Sequence, residues 1–284
     1  MSKSNNAEGI FLMLGASVAF AVMAAATKSL PGKLPTSEIV FIRSFFSTLA
    51  LLFYFFRDQN FIGHGKRPVV LAARGVIGFT ALYLYFWAIP QIHLGTAVML
   101  NYTAPLFAVI ASYWVFKEKT SVPTKILIGL SFLGVYLVTA PQITEKPVAF
   151  LAALASGILA GMVHLLIRQS SGEEESPLLI IFYFTAICAV GSIFFLPFNH
   201  WIWPDTRQWL VLAVITTSSF VGQLGFTYSL RRAPISVVSP FGYITPVIGL
   251  IFGFFIWREN PGVSGFLGSL IVVFCGTLLY KRQT

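Results

Sequence analysis

The stretch Asn101-Tyr102-Thr103-Ala104-Pro105 is matched 141 residues later by Gly242-Tyr243-Ile244-Thr245-Pro246. Thirteen residues after each proline stands a glutamate preceded by a basic residue, in Lys117-Glu118 and in Arg258-Glu259. Scattered Phe and Ile matches carry little information in an apolar chain, whereas one fixed offset that pairs Tyr, Pro and charged residues is specific. The spacing therefore predicts that the chain consists of two related halves.

The composition is that of an integral membrane protein. Hydrophobic residues make up 56% of the 284 positions and charged residues only 10%, whereas about a quarter of a soluble domain is charged. A helix that crosses a bilayer needs about 20 mostly apolar residues. That length predicts an all-α membrane protein of ten transmembrane helices, with spans near 9–28, 37–56, 69–90, 94–116, 122–140, 147–168, 177–197, 208–230, 234–257 and 261–280.

The basic residues predict the orientation of the chain. The net charge is +9, and its carriers are scattered between apolar runs rather than gathered in one patch, which argues against a nucleic-acid partner. With the N-terminus inside, twelve of the 19 Lys and Arg fall in inside segments and five in outside segments, while Arg43 and Arg74 lie within spans. Cytoplasmic segments carry the excess of Lys and Arg. Both termini of this multi-pass membrane protein are therefore predicted to be cytoplasmic.

The predicted halves, residues 9–140 and 147–280, hold five spans each. Because five is odd, the second half must enter the membrane upside down. Inverted repeats recur in secondary transporters, whose solute binds near the midplane between the halves. A duplication with no role in transport is the alternative reading.

The chain resembles the EamA-type transporters of the drug/metabolite transporter superfamily along nearly its whole length. The residues that carry the resemblance are Phe41-Ile42-Arg43, Arg74-Gly75-Val76-Ile77-Gly78, the run from Ala97 to Pro105, Glu118, and, more loosely, Pro246 and Glu259. The resemblance implies ten helices arranged as two inverted five-helix repeats with cytoplasmic ends, in a bacterial inner (plasma) membrane. The Arg-Gly opening and the Asn-Tyr-Thr-Ala-Pro run are similar to a metabolite-carrier branch that includes S-adenosylmethionine carriers of intracellular bacteria.

The best candidate for a solute site is the pair of Tyr-x-x-Pro segments. A proline frees a backbone carbonyl one turn earlier, so a span can open there and offer hydrogen bonds. Under two-fold pseudo-symmetry Tyr102 and Tyr243 would face each other, with Asn101 and Ser239 fixing polar groups of the solute. Helix packing around two proline kinks is the alternative explanation.

Four further residues are candidate solute contacts. Tyr83 and Trp87 share one helical face of the third span, and Gln223 lies deep in the eighth. His164, within the sixth span, could couple transport to protons. Each also has a structural reading: Trp87 as an interfacial anchor, and Gln223 or His164 as a partner of a neighbouring helix.

Arg43 and Arg74 lie about six residues inside their spans, within reach of the headgroups by snorkelling. One of them could instead attract an anionic solute group, although a structural role is favoured. Cys188 and Cys275 stand in apolar runs and are predicted to be packing residues. The sequence thus predicts no metal, no cofactor and no catalytic residue.

The function predicted is secondary transport of a small metabolite, amino-acid-like or nucleoside-like, by alternating access. The oligomeric state stays open. An enzyme acting on lipid head groups would need clustered acids, His or Cys at the interface, and the acidic run Glu173-Glu174-Glu175 has no His nearby. A channel would want a selectivity filter, and no TVGYG-like element occurs. Both remain as alternatives.

Overall fold

The structure, a computed structural model, describes residues 3–30, 34–57, 65, 67–104, 106–108, 110–111, 122–143, 146–170, 176–195, 201–233, 238 and 241–282. Within these residues the chain is all-helical. The ten helices of the described residues are α1 Lys3–Ser29, α2 Thr36–Arg57, α3 Pro68–Ala88, α4 Leu94–Asn101, α5 Val122–Ile143, α6 Pro147–Ser170, α7 Pro177–Ile193, α8 Thr206–Arg232, α9 Ile244–Trp257 and α10 Gly262–Arg282.

The local sequence explains where several of these helices begin. Helices α3, α6 and α7 each start at a proline, whose missing N–H costs nothing in the first turn. Helix α8 begins with a capping box, in which Gln208 N donates to the Asp205 carboxylate at 2.7 Å and Asp205 N donates to Gln208 Oε1 at 2.8 Å. Two helix-terminal donors are thereby satisfied.

The helices are those of a multi-pass membrane protein. Four have the length and composition to cross a bilayer, over Asn6–Ser29, Thr36–Arg57, Pro68–Ala88 and Thr206–Arg232, and five shorter apolar helical stretches accompany them. Large apolar side chains cover the outside of the bundle, and Phe56 and Phe255 are 86% and 73% exposed. Such a surface is suited to lipid rather than to water.

The contacts between helices follow a repeat of five helices. We call two helices counterparts when they are five places apart in the chain, as α1 and α6 are, and replacing both helices of a main contact by their counterparts again gives an observed contact. Helix α1 packs against α8, and α6 packs against α3. Helix α1 also packs against α9, and α6 packs against α4. The contact of α3 with α7 is likewise matched by that of α8 with α2, and the pairs α2 with α7, α4 with α9 and α5 with α10 each join a helix to the one five places later.

Counterpart helices run antiparallel to each other. In the pair α4 and α9, Gly95 lies against Leu250 and Val98 lies against Gly249, so α4 numbers rise as α9 numbers fall.

Helices α5 and α10 show the same antiparallel arrangement. Leu127 packs with Cys275. Seven residues further along α5, Gly134 lies against Gly268, seven residues earlier in α10. Close approach at paired glycines is typical of helix packing in membranes.

Candidate functional site

Two helix breaks at equivalent positions lie at the centre of the bundle. The sequence predicts a span over 94–116 that can open before Pro105, and in the structure α4 ends at Asn101, where Tyr102 and Thr103 form a turn. Helix α9 begins at Ile244, directly after Tyr243, although its span is predicted from residue 234. A proline three residues after each tyrosine cannot donate to the carbonyl one turn earlier, which explains why both helices are interrupted here.

The two tyrosines have nearly the same backbone conformation. Tyr102 has φ −77° and ψ 6°, and Tyr243 has φ −69° and ψ −4°. Their ring centroids are 6.4 Å apart, with an angle of 58° between the planes. The structure therefore brings Tyr102 and Tyr243 together as the sequence repeat predicts. Their role as solute contacts stays a prediction.

A chain of hydrogen bonds links the first break to two other helices. The Tyr102 hydroxyl donates to Thr245 Oγ1 at 2.8 Å, and Thr245 Oγ1 donates to the carbonyl of Ser17 at 3.1 Å. Helices α4, α9 and α1 are thus connected through side chains at the middle of the molecule. Because a polar group in hydrocarbon needs a partner, these bonds fix the tyrosine relative to both halves.

Serines on α6 and α1 anchor the two broken segments in equivalent ways. Asn101 Nδ2 donates to Ser156 Oγ at 3.1 Å, which ties the end of α4 to α6. Ser17 Oγ donates to the carbonyl of Phe241 at 3.1 Å, which ties the segment before α9 to α1. Since α1 and α6 are counterparts, each half supplies a serine that holds the broken helix of the other half.

Glycines on α6 allow its close approach to the first break. A methyl group on Gly157 would overlap the carbonyl oxygen of Leu100, and one on Gly161 would lie 2.7 Å from the carbonyl oxygen of Ala104. Only a residue without Cβ fits at such distances. The GxxxG spacing of this pair is the sequence signal from which the contact could have been predicted.

The residues of the candidate site differ in how deeply they are buried. Tyr243 is 2% exposed, whereas Asn101 and Tyr102 are half-buried. The polar groups at this position are the Asn101 amide and the Tyr102 phenol, which are bonded to Ser156 and Thr245 and lie beside the Tyr243 ring. Such a surface offers one aromatic face and a few hydrogen-bonding groups, a usual combination in small-molecule sites.

Tyr83, Trp87 and Gln223 are half-buried in α3 and α8. The ring of Tyr83 stacks on Phe195 at 4.9 Å and also contacts Phe79. Tyr83 and Trp87 both pack against the main core, of which Phe79 is a member. No contact in the described part of the chain joins Tyr83, Trp87 or Gln223 to Asn101, and their solute contacts stay predictions.

Other predicted positions lie outside the described residues. Ser239 falls there, as do Pro105 and the Lys117-Glu118 pair. His164 belongs to helix α6, but its side chain is not among those described. The hypotheses on Ser239 and His164 therefore remain predictions from the sequence.

An ion pair closes one end of the contact between α4 and α9. Lys28, near the end of α1, forms a salt bridge with Glu259, and both side chains are 10% exposed. Lys28 Nζ also donates to the carbonyl of Ile92 at 2.6 Å, and Leu94 N donates to Glu259 Oε2 at 2.7 Å. The Lys28 ammonium lies 5.8 Å from the ring centroid of Trp257. These contacts join α1, the start of α4 and the end of α9.

Arg43 and Arg74 point into the bundle, and the snorkelling prediction is wrong. Arg43 is 1% exposed, and its guanidinium lies 5.6 Å from the ring of Phe86 and 6.0 Å from that of Phe184. Arg74 lies 5.6 Å from the Phe184 ring and donates from Nη1 to the carbonyl of Ile180 at 3.0 Å. Phe184 thus takes a cation on its ring from each of two helices, and the arginines join α2 and α3 to α7.

No group of three or more His, Cys, Asp and Glu residues lies close enough to hold a metal ion in the described ranges. Cys188 and Cys275 are buried as free thiols.

Comparison with known proteins identifies the class. The model of the EamA-like transporter family matches residues 7–140 and again 147–281. The chain therefore belongs to the EamA-like transporter family, and the resemblance seen in the sequence is confirmed. It is a small-molecule transporter of the membrane rather than an enzyme.

Three bacterial transporters are similar to the chain over most of its length. The chain is 31% identical to the pseudopaline exporter CntI of Pseudomonas aeruginosa over 97% of both chains. It is 27% identical to an uncharacterized transporter of Helicobacter pylori, over 95% of this chain and 94% of that one. It is also 24% identical to the S-adenosylmethionine uptake transporter of Rickettsia conorii, over 87% of this chain and 83% of that one.

A solved crystal structure shares the fold. Its TM-score is 0.68 at 15% sequence identity, over 99% of both chains. At that identity the likeness concerns the fold alone.

Several site residues were not singled out from the sequence. Thr245, Ser156 and Ser17 make the central hydrogen bonds, and Lys28 pairs with Glu259. A polar residue directly before Pro246 was a visible signal for Thr245. Nothing local marks the serines, because Ser is common in transmembrane helices and its partner is set by packing.

Proposed function

We propose that this protein is a secondary carrier that moves a small amino-acid-like or nucleoside-like metabolite by alternating access. The five-helix halves, residues 9–140 and 147–280, would be inverted repeats of ten spans, with both termini in the cytoplasm of a bacterial inner membrane. Support comes from the double match of the family model, the helix contacts that repeat after five helices, and the antiparallel counterparts. A carrier of this build moves one half against the other around a fixed central site.

The observation that carries the proposal is the hydrogen bond between Tyr102 and Thr245. It joins the two equivalent helix breaks, one from each half, at the point where backbone and side-chain polar groups are available. Breaks of this kind bind solutes in carriers built from inverted repeats. Asn101, Tyr102 and Tyr243 would therefore form the floor of the solute site.

The chemistry of the site supports the solute class. The phenol of Tyr102 and the amide of Asn101 can pair with amino, carboxyl or hydroxyl groups, and the two rings can cover a flat or apolar part. One relative is an S-adenosylmethionine uptake transporter. Its solute combines an adenosyl group with the amino acid methionine. Another exports pseudopaline. The two relatives are named for opposite directions of transport, so the direction here is left to the experiment.

The test is a thermal-shift screen of the purified protein against amino acids, nucleosides and their conjugates, followed by counterflow in proteoliposomes. We expect at least one compound to raise the melting temperature and to be carried. Tyr102→Ala and Tyr243→Ala should abolish that shift, while Tyr136→Ala, at a side chain 61% exposed on α5, should retain it. Retention of the shift by both central variants would move the site elsewhere. Unitary currents in planar bilayers would indicate a channel instead of a carrier.

A further inference from the structure

We propose that Lys28 and Glu259 are the gating residues of the outer entrance to the solute site. This inference rests on the proposed carrier function and adds two residues that act in gating rather than in binding. In the proposed topology, the end of α1, the start of α4 and the end of α9 all lie at the outer side of the membrane. The Lys28–Glu259 pair joins these three ends.

The position of the pair is that of an entrance. Along α4, Leu94 and Asn101 are separated by seven residues, or about 10 Å at 1.5 Å per residue. The ion pair therefore lies directly above the candidate site on the outer side. Between them α4 and α9 are in tight contact, since a methyl group on Gly95 would overlap Leu250 and one on Gly249 would lie 3.2 Å from Val98 Cγ2. A solute entering from outside must part these helices and the ion pair above them.

The backbone around Glu259 is shaped to aim its carboxylate at α4. Arg258 has a left-handed conformation with φ 58° and ψ 30°, which is unfavourable for a residue with Cβ. This turn brings Glu259 N onto the carbonyl of Gly253 at 3.0 Å, and the carboxylate reaches the N–H of Leu94. Gly253 leaves the space, because a methyl group there would lie 2.7 Å from Glu259 Oε2. A strained turn that persists is one that surrounding contacts hold in place.

The energetics suit a contact that opens and closes. A buried ion pair gains Coulomb energy, but it also carries a desolvation penalty of comparable size. When water enters the opened path, hydration replaces the partner of each charge, so the net cost of separation stays small. A cavity of about 10 Å³ already lies beside the pair, lined by Glu259, Thr96 and Leu250 among others. It has the size of a single water molecule.

The variants separate the ion pair from the other roles of these side chains. Glu259→Gln keeps the side-chain size and an oxygen that can accept from Leu94 N, and Lys28→Gln replaces the ammonium with a neutral amide, so each removes one charge of the pair. Lys28→Arg keeps the charge. Gly253→Ala keeps both charges and displaces the carboxylate. The matched control is Arg232→Gln, which breaks the half-exposed Arg232–Glu8 pair between α8 and α1.

The experiment measures access from outside to a cysteine at Thr96, just below the pair. Cys188 and Cys275 are first replaced by Ser, and oriented proteoliposomes are treated with a membrane-impermeant maleimide. Because the outward-open population depends on the ion pair, we expect Lys28→Gln, Glu259→Gln and Gly253→Ala to raise the labelling rate about tenfold. The rates of Lys28→Arg and Arg232→Gln should remain at the parent value. The double variant Lys28→Gln/Glu259→Gln should exceed neither single variant, because the same contact is lost once.

Two results would contradict the proposal that Lys28 and Glu259 form a gate. One is an unchanged labelling rate in a monodisperse Glu259→Gln protein, and the other is a labelling rate in the double variant that combines the increases of the two single variants. The readout needs no solute, so the gate and the carrier function are tested separately. Raised labelling in a protein that carries none of the tested solutes would support the gate and count against the function. Unchanged labelling in an active carrier would reject the gate alone.

Discussion

Tyr102 and Tyr243 lie 141 residues apart in sequence, share one backbone conformation, and place their ring centroids 6.4 Å from each other. The two halves of the chain thus meet through equivalent residues rather than through unrelated surfaces. Any movement of one half relative to the other changes the surroundings of both tyrosines together. The link between them is therefore the place where mutations should have the most informative effects.

The hydrogen bond from Tyr102 to Thr245 can be removed from either side. We expect Tyr102→Phe and Thr245→Val each to destabilise the protein by about 0.5–1.5 kcal/mol and to slow transport, because a buried interhelical bond is lost. Thermal unfolding in detergent and uptake in proteoliposomes measure the two effects. Because Thr245 also donates to the carbonyl of Ser17, the double variant should lose little more than Thr245→Val alone, and full additivity would mean that the two hydroxyls act independently.

Close approach of α4 to α9 depends on Gly95. Gly95→Ala places a methyl group into Leu250, and overpacking of this kind costs about 1–3 kcal/mol. The control is Gly129→Ala on α5, where an added methyl group meets nothing within 4 Å. Because the nearest obstruction is a side chain, Leu250→Ala should restore most of the melting temperature lost in Gly95→Ala.

A glycine whose neighbour is backbone should not be rescued in this way. A methyl group on Gly268 would lie 2.5 Å from the carbonyl oxygen of Gly134. We expect Gly268→Ala to separate α5 from α10 and to lower the yield of folded protein, because a carbonyl group cannot be trimmed by mutation. Size-exclusion chromatography of the solubilised protein measures this, and a normal monodisperse peak would contradict the expectation.

Phe184 should be important for stability because two arginines use its ring. Phe184→Leu removes the contacts of Arg43 and Arg74 at 6.0 and 5.6 Å, and desolvated cation–π contacts are worth about 2 kcal/mol each. The melting temperature should fall well below that of Phe255→Leu, a control at a side chain 73% exposed.

A substitution at Arg43 can distinguish a structural role of this residue from a role in solute binding. If the guanidinium is structural, Arg43→Lys lowers the melting temperature and leaves KM unchanged, because Lys lacks the planar group that lies on aromatic rings. A higher KM at unchanged stability would instead indicate that Arg43 binds an anionic group of the solute.

Cysteine labelling at two loop positions tests the proposed orientation of the chain in the membrane. In a background with Cys188 and Cys275 replaced by Ser, Trp203→Cys in the loop between α7 and α8 should react with an impermeant maleimide added outside. Arg67→Cys, in the loop before α3, should react only after permeabilisation. Both side chains are exposed, so burial does not limit labelling. The reverse pattern would place both termini outside.

Much of the fold followed from periodicity and composition. The 141-residue offset predicted which tyrosines would meet, because polar and proline residues at a fixed spacing report a duplicated backbone. All ten helices of the described chain fall within or beside predicted spans. The span over 94–116 was predicted to be able to open one turn before Pro105, and α4 ends at Asn101.

The side-chain partners could not be predicted in the same way. Glu259 appeared only as a residue at the end of a span, since its partner Lys28 lies 231 positions earlier. The arginines looked able to reach the headgroups because depth along a helix says nothing about the direction a side chain takes. Only the packing of α2 and α3 on α7 decides that Arg43 and Arg74 turn inward.

The interlocked pairing of the halves has a consequence for biogenesis. Helix α1 packs mainly against α8, and α3 packs against α6 and α7, so these helices of the first half have partners that are synthesised only in the second half. Each of these helices must remain in the lipid, or in contact with the insertion machinery, until the second half has been inserted into the membrane. Neither half would then be a self-sufficient folding unit, and co-expressed separate halves should reassemble only by finding each other in the membrane. A premature stop after α5 should leave a fragment that membrane quality-control proteases remove.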